Sequence, residues 1–212
     1  TTAAPSDVTD APAGPALVYA RKGLTQEAKD HLLALHNDFR DLVASGKKVG
    51  FENVTEPAAS QMMKLVWDDT LAAGAQAWAD NCKWGFDPTA YSDFGASDNI
   101  LNKPDWEDVD PTTDGLTKMF YQTSGQLIFG GIDTAHVPNY DRYSLEASVG
   151  GYAKAVHDKT SKIGCGMKYC AVSTGIWSSP LHFLVCRYAP GFRCGTMIYA
   201  RGTPQSACPN GP

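Results

Sequence analysis

The sequence lacks the short motifs that most often reveal an enzyme or a structural metal site. It contains no GxSxG nucleophile elbow, no HExxH zinc motif and no glycine-rich phosphate loop. No two cysteines form a CxxC pair, and no CxxC…HxxxH spacing is present for a structural zinc ion. The motifs therefore point neither to a common hydrolase nor to a zinc module.

Excess positive charge and long apolar runs are also missing. The net charge is −5 and the isoelectric point is about 5.4, which disfavours nucleic acid or an anionic membrane as a partner held by bulk charge. No apolar run approaches the roughly 20 residues of a membrane-spanning helix, so we expect no stable membrane insertion. No signal peptide is recognisable either, which leaves a cytosolic chain or an already processed one.

The cysteines favour the processed, extracellular alternative. Six are present, an even number, and this is typical of a disulfide framework in a secreted protein. Six reduced thiols in a cytosolic protein are the alternative. Residues 53–55 read Asn-Val-Thr, so Asn53 is a candidate N-glycosylation site, which would suit a secreted chain.

The hydrophobic pattern predicts helices first and strands last. One helix is expected from Thr25, its N-cap, to Gly46, and another from Asp68 to Cys82. Residues 102–113 are rich in Pro and Asp and are expected to turn. Three further helices are predicted over residues 58–64, 113–126 and 144–160. Two strands follow, over residues 164–172 and 181–188. This order indicates an α+β domain in which helices cover a small antiparallel sheet.

Four motifs, in order, resemble a known family. They are LHNDFR at 35–40, MKLVWDDTLAAGAQAWADNC at 63–82, IGCGMKYC at 163–170 and CRYAPGF at 186–192. Together they resemble the CAP superfamily (SCP/TAPS), which comprises cysteine-rich secretory, antigen 5 and plant pathogenesis-related proteins. Within it, the chain is most similar to helminth venom allergen-like proteins.

The resemblance implies a three-layer αβα sandwich, in agreement with the α+β pattern. It covers about residues 21–192, which leaves an extended or disordered tail over 1–20 and a C-terminal extension over 193–212. It also implies two disulfides and leaves two cysteines to clamp the extension, giving the pairs Cys82–Cys170, Cys165–Cys186 and Cys194–Cys208.

Many members of that superfamily carry two His and two Glu in a central cleft, where they can bind a divalent metal. The matching positions here are Phe86, Asp98, Thr123 and Gly151. Only Asp98 could ligate a metal, and a single carboxylate does not hold zinc against water. The resemblance therefore implies that the metal site is lost, together with any hydrolase built on it, and we expect no cofactor and no enzymatic activity.

Two histidines could suggest a surviving active site. His157 lies six residues beyond the Gly151 position, and we interpret it as a solvent-facing or capping residue near a helix end rather than a ligand. His36 stands near Asn37 and Arg40 in the first helix, and we expect these side chains to hydrogen-bond inside the fold.

An aromatic loop follows the second helix. Trp84, Phe86, Tyr91 and Phe94 have the spacing of the aromatic signature called the caveolin-binding motif, and in similar members of the superfamily this loop is implicated in binding sterols. Flat rings stack on a flat apolar ligand and bury a large area for few rotatable bonds. The alternative is that the rings pack onto the core as a lid.

Some relatives also hold a fatty acid between helices. The positions that could line such a groove, which would otherwise be ordinary core positions, are Leu35, Phe39, Met119 and Phe120. The sequence thus predicts a secreted, non-enzymatic protein that binds sterol through residues 84–94, with a fatty acid as a further candidate ligand. Two alternatives remain, a protein ligand of a host receptor or immune cell and a degenerate metal-dependent hydrolase.

Overall fold

The structure is a computed structural model that describes most of the domain core. The described residues are 19–20, 23–48, 55–90, 96–104, 113–118, 150–170, 181–193, 196–204 and 206–207. Several residues named above lie outside them, namely Asn53, Tyr91, Phe94, Met119, Phe120, Thr123, Cys194 and Cys208.

The described part of the chain contains four helices and six strands. In chain order they are β1 (Tyr19–Ala20), β2 (Gly23–Leu24), α1 (Gln26–Ala44), β3 (Val66–Trp67), α2 (Asp69–Asp80), β4 (Ser97–Pro104), α3 (Thr113–Lys118), α4 (Gly150–Val156), β5 (Lys162–Cys170) and β6 (Leu181–Ala189). None of these helices has the length and apolarity needed to cross a membrane.

Side-chain caps begin the two long helices where the sequence predicts them. The hydroxyl oxygen of Thr25 accepts a hydrogen bond from the backbone N–H of Ala28 at the start of α1. At the start of α2, Asp68 Oδ1 accepts from the N–H groups of Thr70 and Leu71, each at 3.0 Å. Both helix predictions are therefore confirmed at their N-termini.

The central sheet has four strands in the order β3-β5-β6-β4. β5 and β4 both pair antiparallel with β6, whereas the two-residue β3 runs parallel to β5. The expected antiparallel sheet is thus correct for the three long strands. The sequence did not predict β4, whose last residues fall in the stretch expected to turn.

Helices cover both faces of the sheet. On one face, Ala75 and Ala79 of α2 pack with Phe183 and Val185 of β6. On the other, the larger core joins α1 and α4 to alternate residues of β5 and β6, such as Ile163 and Leu184. This arrangement is the expected three-layer αβα sandwich.

Glycine on β5 lets α2 lie directly against the sheet. A Cβ atom added at Gly164 would come within 2.2 Å of the backbone N of Ala72, and one at Gly166 within 2.3 Å of Gln76 Cα. Any side chain there would push α2 outwards. Gln76 then joins the two layers, because its amide donates to the Met167 carbonyl and accepts from the Met167 N–H, each at 3.0 Å.

The helix predicted over residues 58–64 is wrong. Ala59 instead forms an antiparallel bridge with Arg201, and the Ser60 N–H donates to the Ala200 carbonyl at 2.8 Å. These long-range backbone bonds hold residues 58–60 extended. The C-terminal extension also contributes Ile198 and Tyr199 to the main core, so its described part packs as an integral piece of the fold.

Two disulfides are present among the described cysteines, and both are pairs that the resemblance implies. Cys82–Cys170 joins the residue just after α2 to the end of β5, with Cα atoms 5.7 Å apart. Cys165–Cys186 links directly opposite residues of β5 and β6, with Cα atoms 4.1 Å apart.

The helix predicted over 144–160 ends earlier than expected, at Val156.

Candidate functional site

The root of the aromatic loop is fastened at two points, once to the sheet and once to α2. Cys82 takes a positive φ of 49° directly after the helix and is held by its disulfide to the sheet. Three residues later the Gly85 carbonyl accepts a hydrogen bond of 2.7 Å from the indole N–H of Trp78. Gly85 has a φ of 123°, a backbone conformation open to glycine. The chain therefore leaves α2 in a defined direction.

Two aromatic rings stand exposed on this root. Trp84 is 37% exposed and Phe86 is 59% exposed. The Trp84 ring packs against the Phe183 ring of β6, with ring centroids 6.3 Å apart. The other two rings of the motif, Tyr91 and Phe94, lie outside the described residues. The pair Trp84 and Phe86 is thus partly anchored and partly open to solvent, so neither ring is fully packed away as a lid.

A buried group of charges lies beneath the loop. The Arg187 guanidinium on β6 forms ion pairs with Asp87 of the loop and with Asp98 of β4, its cross-strand partner. Its Nε lies 3.0 Å from Asp98 Oδ1, in an ion pair without the geometry of a linear hydrogen bond. Arg187 and Asp98 are almost fully buried. One cation therefore connects the loop to the edge strand.

The two carboxyl groups respond to this environment in opposite ways. Burial raises the pKa of Asp98 to about 6, although the charge of Arg187 opposes the shift. Burial also acts to raise the pKa of Asp87, but hydrogen bonds from Thr89 and Arg187 outweigh it, so that pKa is lowered. Asp98 is therefore the carboxyl in this group that should titrate in mildly acidic solution.

We expect the free energy of unfolding to fall as the pH rises from about 4 to 6, because over this range Asp98 keeps its proton in the folded state and loses it in the unfolded state. Its folded pKa of about 6 lies above the ordinary 3.8, so the folded state holds the proton more tightly. The contribution of Asp98 to the free energy of unfolding is fully present below pH ~4 and is lost as the pH rises through ~6. Its size is on the order of 2–3 kcal/mol. A ¹³C NMR titration should give a midpoint near 6, and Asp98→Asn should flatten the stability profile. A midpoint below 4 would contradict this reading.

Lys154 of α4 completes the group, and we call the group of Asp87, Asp98, Lys154 and Arg187, with Phe86 above it, the cleft. Its Nζ donates to the backbone carbonyl of Asp98 at 2.7 Å and lies 4.0 Å from the centroid of the Phe86 ring. The side chain is only 9% exposed. A cation over an aromatic face is attracted by the ring quadrupole, more strongly when both are shielded from water. Phe86 is therefore held from below by Lys154 and remains open above.

The comparisons with known proteins agree with this architecture. The model of the CAP family, the cysteine-rich secretory proteins, matches residues 33–188. This chain is a member of the CAP family. It is 29% identical over 180 residues to "Venom allergen 3 homolog" from Dinoponera quadriceps, covering 84% of this chain and 74% of that one. The resemblance found in the sequence is confirmed.

Two further comparisons define how far the likeness extends. The chain is 31% identical over 191 residues to "Cysteine-rich venom protein" from Tityus serrulatus, covering 88% of this chain but 43% of that relative, less than half its length. The crystal structure of NaASP2 with Zn²⁺ superposes with a TM-score of 0.75 at 24% identity, over 90% of this chain and 94% of that one. This structural likeness concerns the fold.

The described residues do not fit the metal site that the resemblance implies for many members of the superfamily. Of the expected ligand positions, Phe86 carries no donor atom, Gly151 has no side chain, and Asp98 is paired with Arg187. Thr123 lies outside the described residues. No group of three or more His, Cys, Asp or Glu side chains that could hold a metal occurs in the described part of this CAP chain. The ligand chemistry needed for zinc is therefore not assembled by these residues.

His157 makes contacts of its own near the end of α4. His157 follows the last residue of α4 and is buried, with Nδ1 3.2 Å from Thr160 Oγ1 and its ring against Phe192. It lies near a helix end as expected, but the solvent-facing alternative is wrong. Burial lowers its pKa.

The expected internal hydrogen bonds of α1 are present. His36 contacts the Leu32 carbonyl through Nδ1 at 2.7 Å and the Tyr188 hydroxyl through Nε2 at 2.8 Å, and burial lowers its pKa to about 4. Asn37 pairs with the backbone of Leu65, and Arg40 donates to carbonyls of the neighbouring segments. These side chains fasten α1 to the rest of the CAP domain.

The structure places the two described candidates for a fatty-acid groove in the core. Leu35 is 8% exposed and Phe39 is 2% exposed, and the Phe39 ring packs edge-on against Tyr152 at 5.9 Å. Met119 and Phe120 lie outside the described residues. Leu35 and Phe39 therefore have core contacts of their own, and the groove stays a prediction.

Three site residues were not singled out from the sequence. Arg187 stands inside the CRYAPGF motif, where a charged residue in an otherwise apolar strand signals a buried ion pair. Lys154 lies three residues after Gly151 on α4, so the two share a helix face. Asp87 precedes a proline in the loop and carried no comparable signal.

Proposed function

We propose that this CAP protein is a secreted, non-enzymatic protein that binds sterols on the exposed rings of Trp84 and Phe86. The observation that carries the proposal is the exposure of these two neighbouring rings on an anchored loop root. Large exposed aromatic side chains that are held in place are typical of binding surfaces. The presence of two disulfides and the likeness to venom proteins support secretion.

Two exposed aromatic rings so close in sequence favour a flat apolar ligand. One glycine separates Trp84 from Phe86, and a Cβ atom added at Gly85 would meet nothing within 4 Å. A rigid, flat hydrocarbon in contact with both rings would lose little conformational entropy, because the aromatic side chains have few rotatable bonds. Such a ligand gains more from this surface than a flexible chain would.

The anchoring of the loop root favours binding. The disulfide at Cys82 and the hydrogen bond from Trp78 to Gly85 restrict the backbone before any ligand arrives. A surface that is already ordered loses less entropy on binding. Lys154 adds to this order because its ammonium group sits against one face of Phe86.

The absence of enzymatic activity is proposed from the chemistry of the cleft. Beneath the loop, Asp87 and Asp98 are paired with Arg187, and Phe86 and Gly151 supply no acid, base or nucleophile. A catalytic carboxylate needs access to the substrate and a suitable proton-transfer geometry. Asp98 is 3% exposed and engaged by its ion pair, so we assign it a structural role.

Equilibrium binding of labelled cholesterol to the Trp84→Ala/Phe86→Ala variant tests the proposal. We expect affinity to fall at least about tenfold, since the central aromatic contacts of an interface carry much of its binding energy. The matched control is Leu42→Ala/Met197→Ala, which removes two other exposed apolar side chains, 41% and 52% exposed. That variant should bind as the unmodified protein does. Undiminished binding by the Trp84/Phe86 variant would exclude this surface.

A further inference from the structure

The strongest remaining feature is the position of Lys154 relative to the metal-ligand positions of the family. Its Nζ contacts residues at two of these positions. It lies 4.0 Å from the centroid of the Phe86 ring and 2.7 Å from the backbone carbonyl oxygen of Asp98. The third described position, Gly151, lies three residues earlier on α4 and hence on the same helix face. The ammonium group is therefore close to the place where a metal would be expected.

We infer that Lys154 is a built-in cation that replaces the divalent metal of this cleft and joins the same three segments. These segments are the loop after α2, the edge strand β4 and helix α4. A metal would connect them through ligand bonds, whereas Lys154 connects them through its own backbone on α4, a hydrogen bond to Asp98 and a cation–π contact with Phe86.

The two cations already in this group, Arg187 and Lys154, disfavour the binding of a divalent ion. Among the described residues, the carboxylates of Asp87 and Asp98 pair with Arg187, and the ammonium group of Lys154 binds the backbone carbonyl of Asp98. A further divalent ion would be brought close to two positive charges, one of them less than 2% exposed. Like charges at such distances repel strongly where water is excluded.

The chemistry of Phe86 also fits the replacement of a divalent metal ion by the ammonium group of Lys154. An imidazole at this position would bind a metal through a nitrogen lone pair, whereas a phenyl ring offers only its negative face, which suits an ammonium group. The substitutions at the ligand positions and the presence of Lys154 therefore form one consistent arrangement. In this arrangement the positive charge of the cleft comes from the Lys154 side chain and not from a bound metal ion.

Hydrogen exchange of the Trp78 indole N–H tests whether Lys154 holds the loop. This N–H donates to the Gly85 carbonyl, so it reports on the loop root, and the Met167 amide, bonded to Gln76, serves as an internal reference. Lys154→Met should raise exchange of the indole N–H about tenfold or more without changing the reference, and added zinc should not reverse it. Lys154→Arg, which keeps the charge, should restore most of the protection. Unchanged exchange in Lys154→Met would overturn the inference.

Zinc titration by calorimetry tests the replacement itself. Phe86→His/Gly151→His supplies two imidazoles beside Asp98, and it should bind zinc at least about tenfold more weakly than the same pair combined with Lys154→Met. Equal affinities, or no binding by either variant, would show that Lys154 does not occupy the metal's place. If the histidine variants fail to fold, the exchange measurement decides alone, because it uses the natural residues at positions 86 and 151.

Discussion

Removal of the Cys82–Cys170 disulfide in a Cys82→Ala/Cys170→Ala variant is expected to lower the free energy of unfolding by about 4–5 kcal/mol. The bond closes a sequence separation of 88 residues, and the chain-entropy model assigns a larger effect to longer loops. It also joins the end of α2 to the end of β5. Urea denaturation under oxidising conditions measures the loss.

The second disulfide provides the comparison for this experiment. Cys165–Cys186 closes only 21 residues, so the same model assigns it about 3 kcal/mol. Cys165 and Cys186 are both buried in the main core, whereas in the other pair Cys170 is buried and Cys82 only partly so; replacement of Cys165 and Cys186 by alanine therefore adds a larger packing loss. A loss below about 1 kcal/mol for the Cys82–Cys170 variant would contradict the stabilising role given to the long loop.

Arg187→Met should lower the free energy of unfolding by about 3–5 kcal/mol. The methionine keeps the apolar bulk of the side chain but leaves the buried Asp98 and the loop residue Asp87 without the guanidinium that faces both. A buried charge that loses its partner is costly because the desolvation penalty remains. Thermal and urea denaturation at pH 7 measure the effect, and adding Asp98→Asn should recover part of it.

A surface ion pair gives the matched control. Lys162 Nζ lies 2.9 Å from Asp68 Oδ2, but the lysine side chain is 53% exposed, so Lys162→Met should cost less than about 1 kcal/mol. Both variants replace one cation by methionine, and they differ in the burial of the pair. An equally small loss for Arg187→Met would show that the buried group beneath the loop contributes little to stability.

Local chemistry made the two long helices, α1 and α2, predictable from the sequence. Thr25 and Asp68 are good N-cap residues, and the apolar spacing behind each predicts one buried face, which α1 and α2 show. The apolar run of β6 likewise predicts a strand covered on both faces, and residues 181–188 are all buried. These elements carry their own signals within a few residues.

Elements that depend on distant partners could not be predicted in this way. β4 contains few apolar residues, and it is a strand because all eight of its residues pair with β6. Residues 58–60 have helix-favouring composition, but backbone bonds to residues 200–202 hold them extended. Tertiary context overrides a weak local preference in both cases.

The sequence named several residues of the candidate site but not the contacts that they make. The resemblance pointed to Phe86, Asp98 and Gly151 as positions where the usual metal ligands are replaced, and Trp84 and Phe86 stood out as aromatic residues. The partners Arg187 and Lys154 come from a strand and a helix that are far from the loop in sequence. Only the folded chain shows that these two cations meet the loop and the edge strand in one cleft.

Equilibrium binding of labelled cholesterol to the unmodified protein, with and without a strong chelator, tests the central claim most directly. The exposed pair Trp84 and Phe86 predicts saturable binding, and the occupation of the cleft by Lys154 and Arg187 predicts the same affinity after chelation and after addition of zinc. The absence of saturable binding, or binding that disappears with the chelator and returns with zinc, would contradict a metal-independent sterol-binding surface on this loop.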